Sequence, residues 1–268
     1  MTPPPVHALL NTDCSEPVSF RCRLGETILF AQPRPGKPIN EDCVAVIDLS
    51  ENQCVLALAD GVGGSPAGAE ASRLAIESVL SSLSDSSDNG SSRSSILDAF
   101  ELAHKSVSGL GNGAACTLII AEIFDRMLRT YHAGDSGCLV VGQRGKTKLR
   151  TVFHSPIGYA EEAGFIDEHE AIRHEDRHII SNAIGLEGMS VEVGSPMQLD
   201  LRDTVIIASD GVFDNAVVDE IGADIRIGKL PTAARRLLSR TNRRMSDEYA
   251  GEVSKPDDLS FAMFRLHR

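Results

Sequence analysis

The chain has 268 residues, of which 42% are hydrophobic and 24% charged, a composition typical of a globular protein rather than a disordered one. Its formal net charge of -12 argues against nucleic-acid or anionic-membrane partners bound by non-specific charge attraction. The six cysteines form no CxxC pair, so no common zinc-ligand spacing is present. The amino terminus lacks the pattern of a signal peptide, and no apolar run is long enough to span a bilayer. We therefore predict a soluble, reduced, cytoplasmic protein.

Apolar runs of strand length and two amphipathic stretches predict the secondary structure. The spacing of apolar residues predicts helices over 67–83 and 95–110, joined by a serine-rich loop over 81–95. Pro231 predicts the start of a third helix that continues to residue 248. Hairpin-like spacing between strands favours antiparallel sheets covered by helices over a βαβ series. The predicted strands are 18–23, 27–31, 43–48, 54–59, 115–123, 128–133, 138–142, 191–193, 204–208 and 259–266.

Aspartates stand where three of these strands end or begin. The run 54–59 leads into Asp60-Gly61, the run 204–208 leads through a serine into Asp210-Gly211, and Asp257-Asp258 precede the last strand. Each Asp-Gly pair taken alone is a common turn sequence. Several carboxylates at the rim of a rigid sheet also form a preorganised set of hard oxygen ligands, which Mg²⁺ and Mn²⁺ prefer. The repetition favours a metal site.

A second metal motif offers an alternative function. His174-Glu175-Asp176-Arg177-His178 matches the H-E-x-x-H pattern, which on a helix places two histidines on one face to bind zinc, with the glutamate as general base. A zinc metalloprotease is therefore one alternative. The residues around the motif are charged, so a helix here would lack the apolar face that a buried helix needs. This favours an exposed segment instead.

Five acidic blocks, read in order, resemble the metal-dependent type 2C (PPM family) Ser/Thr protein phosphatases. Their order and approximate spacing agree with that family from about residue 18 to the end, and the chain is similar to its compact, bacterial, catalytic-domain-only members. The five blocks are Asn40-Glu41-Asp42, Ala59-Asp60-Gly61-Val62-Gly63-Gly64, Gly134-Asp135-Ser136, Ser209-Asp210-Gly211-Val212-Phe213-Asp214-Asn215 and Asp257-Asp258-Leu259-Ser260.

The resemblance implies the fold and the domain organisation. The expected fold class is α+β, an α-β-β-α sandwich in which two antiparallel sheets are flanked by helix pairs and the metals lie in a cleft at one end. We expect residues 1–17 to be an N-terminal extension and residues 18–268 to be the phosphatase domain.

The resemblance also implies a set of metal ligands. Asp60 would bridge two Mn²⁺ or Mg²⁺ ions, and the backbone carbonyl of Gly61 would bind the second ion. Asp210 and Asp257 would complete the first site, and Asp257 is preferred over Asp258 only because it is the first acid of its block. Two further acids, Glu41 and Asp42, would hold metal-bound water or support it, and Asp135 would pair with Asp210 at a third, weaker site.

The implied activity is hydrolysis of phospho-Ser/Thr proteins, the targets of a Ser/Thr kinase, by a metal-bridged hydroxide that attacks phosphorus in line. Catalysis would rest on Asp60 and Asp210 with Lys37, which stands where the family often carries a phosphate-binding arginine. A lysine lacks the bidentate fork of arginine. Val62 stands where eukaryotic members often carry a histidine acid. The replacement at Lys37 leaves open a second alternative, a non-catalytic regulator that binds phosphoproteins.

The implied partners are phosphoprotein substrates, with no nucleic acid and no membrane, and the protein is expected to be a monomer. No protein nucleophile is needed in this reaction, so Ser136 and the cysteines are not expected to be catalytic. The segment 158–178 lies where the family places a mobile flap, and we expect its charged residues to contact the phosphoprotein.

Overall fold

The structure is a computed structural model, and it describes residues 4–62, 67–84, 92–246 and 254–267. Within these ranges two antiparallel sheets lie face to face, and helices cover the outer face of each sheet. The predicted α-β-β-α sandwich is therefore confirmed. Within the same ranges, no helix is both long and apolar enough to cross a membrane.

The first sheet has the strand order β1-β4-β5-β6-β7-β10, and β11 also pairs with β7. Neighbouring strands in this sheet are antiparallel. Its strands are β1 (Val6–Leu10), β4 (Asp42–Ser50), β5 (Gln53–Asp60), β6 (Leu118–Phe124), β7 (Met127–Ala133), β10 (Glu192–Val193) and β11 (Met197–Gln198).

The second sheet has the strand order β2-β3-β13-β12-β8-β9, again with antiparallel neighbours. Its centre pairs the last strand of the chain with strands from the amino-terminal and middle parts. The strands are β2 (Val18–Arg21), β3 (Gly25–Gln32), β8 (Gly137–Val141), β9 (Thr147–Arg150), β12 (Thr204–Ala208) and β13 (Leu259–Leu266).

Buried side chains on alternate positions of each strand form three apolar layers. On β4, Cys43 and Ala45 pack towards the helices, whereas Val44 and Val46 pack into the layer between the sheets. Because the central strands are buried on both faces, they read as continuous apolar runs with little alternation. The apolar runs therefore predict where the strands lie, but not which face of the sheet each side chain occupies.

Two long helices cover the first sheet, and a group of shorter and longer helices covers the second. The first pair packs into one core cluster, which agrees with a helix–helix loop inside a single domain. Residues 85–91 of the predicted serine-rich loop lie outside the described residues. The helices are α1 (Gly68–Ser84), α2 (Arg93–Ser108), α3 (Pro156–Glu162), α4 (Glu168–Ala171), α5 (Asp210–Phe213), α6 (Val218–Ile225) and α7 (Leu230–Met245).

The structure differs from the predicted elements mainly at the edges of the sheets. The sequence pattern missed β1, β9 and β11 and the short helices α3 to α6, and α7 begins at Leu230, one residue before Pro231. The predicted end of that helix at residue 248 lies outside the described residues. The domain boundary at residue 18 stays a prediction, although β1, from the segment expected to be an extension, pairs with β4.

Candidate metal centre

Asp42 and Asp60 are directly opposite each other across β4 and β5. Opposed residues of an antiparallel pair carry their side chains on the same face. Their next partners on that face, Val44 and Leu58, belong to the layer between the sheets. The two carboxylates therefore stand at one end of the inter-sheet layer, which is where the sequence placed a metal site.

The second sheet brings the other acids to the same end. Asp210 begins α5 directly after β12, and Asp257 lies two residues before β13, the antiparallel neighbour of β12. Asp135 lies in the turn between β7 of the first sheet and β8 of the second. The predicted ligands Asp42, Asp60, Asp135, Asp210 and Asp257 thus converge on one cleft.

Burial and mutual repulsion raise the pKa of most of these carboxyl groups. Burial raises the pKa of Asp60 well above its ordinary value, and the charges of Asp42, Asp210, Asp257 and Asp135 add to the effect. Burial and then the neighbouring Asp210 raise the pKa of Asp257 to about 7. Carboxyl groups arranged in this way require a cation between them to stay ionised together.

Asp42 gives the clearest test of whether the residues fit a metal. Its side chain is fully buried, and neither carboxylate oxygen has a hydrogen-bond partner among the described residues. Burial, and then the charge of Asp258, raise its pKa well above the ordinary range. An unsatisfied buried carboxylate is costly, and a hard divalent cation with its water is the partner that such oxygens suit. The donor set therefore fits Mn²⁺ or Mg²⁺.

A protein cation that the sequence pattern did not indicate lies inside this cluster. The Lys255 ammonium donates to Asp210 Oδ2 at 2.5 Å and to Asp214 Oδ2 at 2.6 Å, and lies 3.3 Å from Asp257 Oδ2. Burial and then Asp210 raise the pKa of Asp214 to about 6. The lysine stands two residues before Asp257 in a segment without regular structure, so no periodic pattern pointed to it.

Asp257 and Asp258 have different surroundings, although they are adjacent. The Asp258 carboxylate accepts the backbone N–H of Arg34 at 2.7 Å and that of Glu41 at 2.5 Å. Both of its oxygens are therefore used to hold the loop that precedes β4. Asp257 instead lies against Lys255 and near Asp210, and its role as the metal ligand stays a prediction.

The loop before β4 carries Glu41 and the basic residues near it. Burial and the charge of Asp258 raise the pKa of Glu41, whereas Arg34 and Lys37 act in the opposite direction. Lys37 is exposed, and the described residues offer its ammonium no hydrogen bond or ion pair. Arg34 is the second missed cation, because it stands seven residues before Glu41 rather than at the expected position.

Gly61 lies where two parts of the backbone approach closely. A Cβ atom at this position would stand 2.6 Å from the carbonyl carbon and oxygen of Gly68 at the start of α1. The Gly61 N–H donates to the Glu41 carbonyl at 3.1 Å. The absence of a side chain therefore lets α1 approach the end of β5. The neighbouring Gly63 and Gly64 of the same sequence block lie outside the described residues.

The Ser136 side chain forms a buried hydrogen bond with Thr117. Its hydroxyl lies 2.6 Å from the Thr117 hydroxyl, which also accepts the Asp60 N–H at 3.1 Å. The side chain is buried and is held next to the end of β5. This agrees with the expectation that Ser136 is no nucleophile.

The zinc metalloprotease alternative is wrong. Residues Glu175–His178 form a single 3-10 turn rather than an α-helix, and His174 is its N-cap, accepting the Asp176 N–H at 3.1 Å. At three residues per turn, positions i and i+4 do not share a face. His178 Nδ1 lies 2.9 Å from the Glu175 carbonyl, so the turn uses both rings locally.

Elsewhere in the described part of the chain, His132, His154 and Glu192 each offer a possible ligand atom, and these three atoms lie within 4.8 Å of one another. However, His154 Nδ1 accepts the Gly134 N–H and the Asn182 amide. Its Nε2 therefore carries the proton and donates to Glu192 Oε2 at 3.2 Å. This histidine positions the loop before Asp135 and is not a free metal ligand.

The expected flap segment lies against the acidic cluster. Helices α3 and α4 and the 3-10 turn form it, and Arg177 Nε lies 3.7 Å from Asp214 Oδ2. A pocket is enclosed between this segment and α5, and its walls include Asp135, Asp210 and Phe213 together with Ile157 and Ile172. The segment therefore borders the cleft, while its role in substrate choice stays a prediction.

Comparison with known proteins agrees with this geometry. The family model of protein phosphatase 2C matches residues 34–250. The serine/threonine phosphatase stp of Listeria monocytogenes is 28% identical over 190 residues, which are 65% of this chain and 72% of that protein.

Two solved structures show the same fold at lower identity. The serine/threonine phosphatase Stp1 from Staphylococcus aureus has a TM-score of 0.80 and 21% identity, and the match covers 91% of this chain and 96% of that chain. The catalytic domain of the serine threonine protein phosphatase PstP, in complex with 2 manganese ions, has a TM-score of 0.72 and 21% identity, covering 90% of this chain and 98% of that one.

The family model covers well over half of the chain, from the loop before β4 to beyond α7. The predicted enzyme class, a protein phosphatase, and the predicted use of divalent metal ions are therefore confirmed. This chain belongs to the protein phosphatase 2C family.

Proposed function

We propose that this protein removes phosphate from phosphoserine and phosphothreonine in proteins, with two Mn²⁺ or Mg²⁺ ions held at the end of the inter-sheet layer. The convergence of five carboxylates from both sheets on one cleft carries the proposal. Asp60 and the Gly61 carbonyl belong to the first sheet and its following turn, and Asp210 and Asp257 belong to the second. Both sheets must therefore be intact to form the centre.

Each acid has a separate task in this proposal. Asp60 would hold both ions, and Asp210 with Asp257 would complete one of the two sites. Glu41 would hold metal-bound water with Asp42 in support, since Asp42 lies opposite Asp60 and the described residues offer its two buried oxygens no hydrogen bond. Asp135 would pair with Asp210 at a third, weaker site. When bound, the ions supply a water of lowered pKa as nucleophile and positive charge for the phosphoryl oxygens.

The loop before β4 supplies the basic residues for the substrate phosphate. Lys37 is exposed and pairs with none of the described residues, so its ammonium can meet a phosphate at the mouth of the cleft. Arg34 lies on the same loop, and its charge also reaches Glu41. We propose that the two cations share the role, with Arg34 offering the planar fork that Lys37 lacks. Asp258 fixes this loop through the Arg34 and Glu41 N–H groups.

The substrates in this proposal are proteins phosphorylated by a Ser/Thr kinase, and the flap segment 158–178 contacts them. The ion pair between Arg177 of the flap and Asp214, the residue after α5, places the flap against the proposed metal centre and supports this role. A monomeric state and a cytoplasmic location stay predictions.

Hydrolysis of a phosphothreonine peptide tests the proposal. We expect phosphate release with Mn²⁺ or Mg²⁺, none with EDTA, and loss of release in Asp60→Asn. Asp200→Asn is the matched control, since this exposed aspartate pairs with Lys148 away from the cleft. Folded protein that binds Mn²⁺ but releases no phosphate from several phosphopeptides would favour the non-catalytic phosphoprotein-binding regulator instead.

A further inference from the structure

Lys255 is a protein cation placed where the acidic cluster would hold a metal. Its ammonium is within 2.5 to 3.3 Å of one oxygen each of Asp210, Asp214 and Asp257. Only 20% of its side chain is exposed. The lysine is therefore a member of the cluster rather than a surface residue near it.

The backbone of Lys255 is held in place by a buried asparagine. The Lys255 N–H donates to Asn215 Oδ1 at 3.0 Å, and Asn215 Nδ2 donates to the Lys255 carbonyl at 2.9 Å. The same amide donates to the Gly211 carbonyl at 2.9 Å within the turn that begins at Asp210. Because these contacts join the lysine segment to the α5 turn, the ammonium is aimed at Asp210 by the fold.

Two of the three carboxylates that hold the ammonium, Asp210 and Asp257, are proposed metal ligands. A divalent ion bound by these two oxygens, Asp210 Oδ2 and Asp257 Oδ2, would occupy the space of the Lys255 ammonium. Two cations so close together repel each other strongly. Lysine and metal therefore exclude each other there. Asp214 is not among the proposed metal ligands. A displaced Lys255 ammonium therefore keeps its hydrogen bond to the Asp214 carboxylate.

We propose that Lys255 is a tethered competitor for one divalent ion: it neutralises Asp210 and Asp257 in the metal-free protein and keeps only its contact with Asp214 when the ion binds. Lys255 thus stabilises the metal-free protein and lowers the affinity of the centre for metal. Loading then requires a free metal concentration high enough to displace the lysine. This inference rests on the proposed ligation by Asp210 and Asp257.

Calorimetric titration with Mn²⁺ tests the competition without any phosphatase assay. We expect Lys255→Met, which keeps the length of the side chain but removes its charge, to bind one Mn²⁺ at least about tenfold more tightly than the unaltered protein. Lys255→Arg keeps the charge and should bind Mn²⁺ like the unaltered protein. Lys148→Met is the matched control, since Lys148 also bridges two carboxylates, Asp200 and Asp203, at 2.6 and 2.7 Å.

A second variant tests the same proposal if Lys255→Met does not fold without metal. Asp214→Asn removes the partner that the displaced ammonium keeps, so we expect it to weaken Mn²⁺ binding severalfold while leaving Asp210 and Asp257 in place. Equal or weaker Mn²⁺ binding by Lys255→Met, or tighter binding by Asp214→Asn, would overturn the competition. Failure of the unaltered protein to bind any Mn²⁺ would instead refute the metal centre itself.

Discussion

Asp257 and Asp258 are adjacent acids to which the structure gives different tasks, and alanine substitution of each separates them. Asp258 accepts two backbone N–H groups, at 2.7 and 2.5 Å, from the loop before β4. A hydrogen bond to an ionised group contributes about 1.5–3 kcal/mol, so losing two costs about 3–6 kcal/mol. Its charge also raises the pKa of Glu41 and Asp42, and relief of that repulsion offsets part of the loss. We expect Asp258→Ala to lower the free energy of unfolding by about 3 kcal/mol.

Asp257→Ala should behave in the opposite way. The substitution removes a carboxyl group whose ionised form is disfavoured by burial and by Asp210. Of the three carboxylates around the Lys255 ammonium, Asp257 is also the most distant, at 3.3 Å. We therefore expect a change in stability of less than about 1 kcal/mol, but Mn²⁺ binding weaker by more than about tenfold. Urea unfolding in EDTA measures the first quantity, because EDTA excludes stabilisation by bound metal, and calorimetry measures the second. The reverse pattern, with Asp258→Ala losing metal and Asp257→Ala losing stability, would refute the assignment.

Three further predictions follow from single contacts. Gly61→Ala should lower the free energy of unfolding by about 1–3 kcal/mol in urea, since its Cβ would stand 2.6 Å from the Gly68 carbonyl; unchanged stability would contradict that close approach. Asp42→Asn should raise the stability of the metal-free protein by about 1–3 kcal/mol, because it replaces a buried carboxyl group whose ionised form burial and Asp258 disfavour, and should weaken Mn²⁺ binding; tighter binding would exclude a role for this acid. Asp210→Asn should abolish phosphopeptide hydrolysis while His178→Ala retains it, and the opposite result would restore the histidine motif.

The acids of the centre could be predicted because they terminate regular strands. Asp60 and Asp210 each follow a continuous apolar run, and Asp42 and Asp257 stand at or shortly before the start of the antiparallel neighbour of each run. The edge strand β9, with the sequence Thr-Lys-Leu-Arg, is half exposed and has too few apolar residues to stand out. Edge strands depend on a neighbour's unpaired backbone groups more than on their own side chains, so composition identifies them poorly.

The cations of the centre could not be predicted in the same way. Lys255 and Arg34 lie in segments without regular structure. The Lys255 side chain contacts Asp210, and the charge of Arg34 acts on Glu41. Their positions depend on backbone contacts made across more than 35 residues of sequence, to Asn215 and Asp258 respectively. Such contacts leave no periodic trace in the sequence. Sequence spacing therefore located the carboxylates and left the residues that balance their charge unassigned.

The difference between sheet and loop bears on the proposed third ion, which we expect to bind more weakly than the other two. Asp42 and Asp60 are fixed by the β4–β5 ladder, whereas Asp135 lies in the turn between β7 and β8. That turn is held from one side by His154, whose N–H donates to the Gly134 carbonyl at 3.1 Å and whose Nδ1 accepts the Gly134 N–H at 3.2 Å. A ligand on a turn loses more conformational freedom on binding than a ligand already fixed in a sheet. A site that shares Asp210 and adds only Asp135 therefore has less preorganisation than the pair built on Asp60.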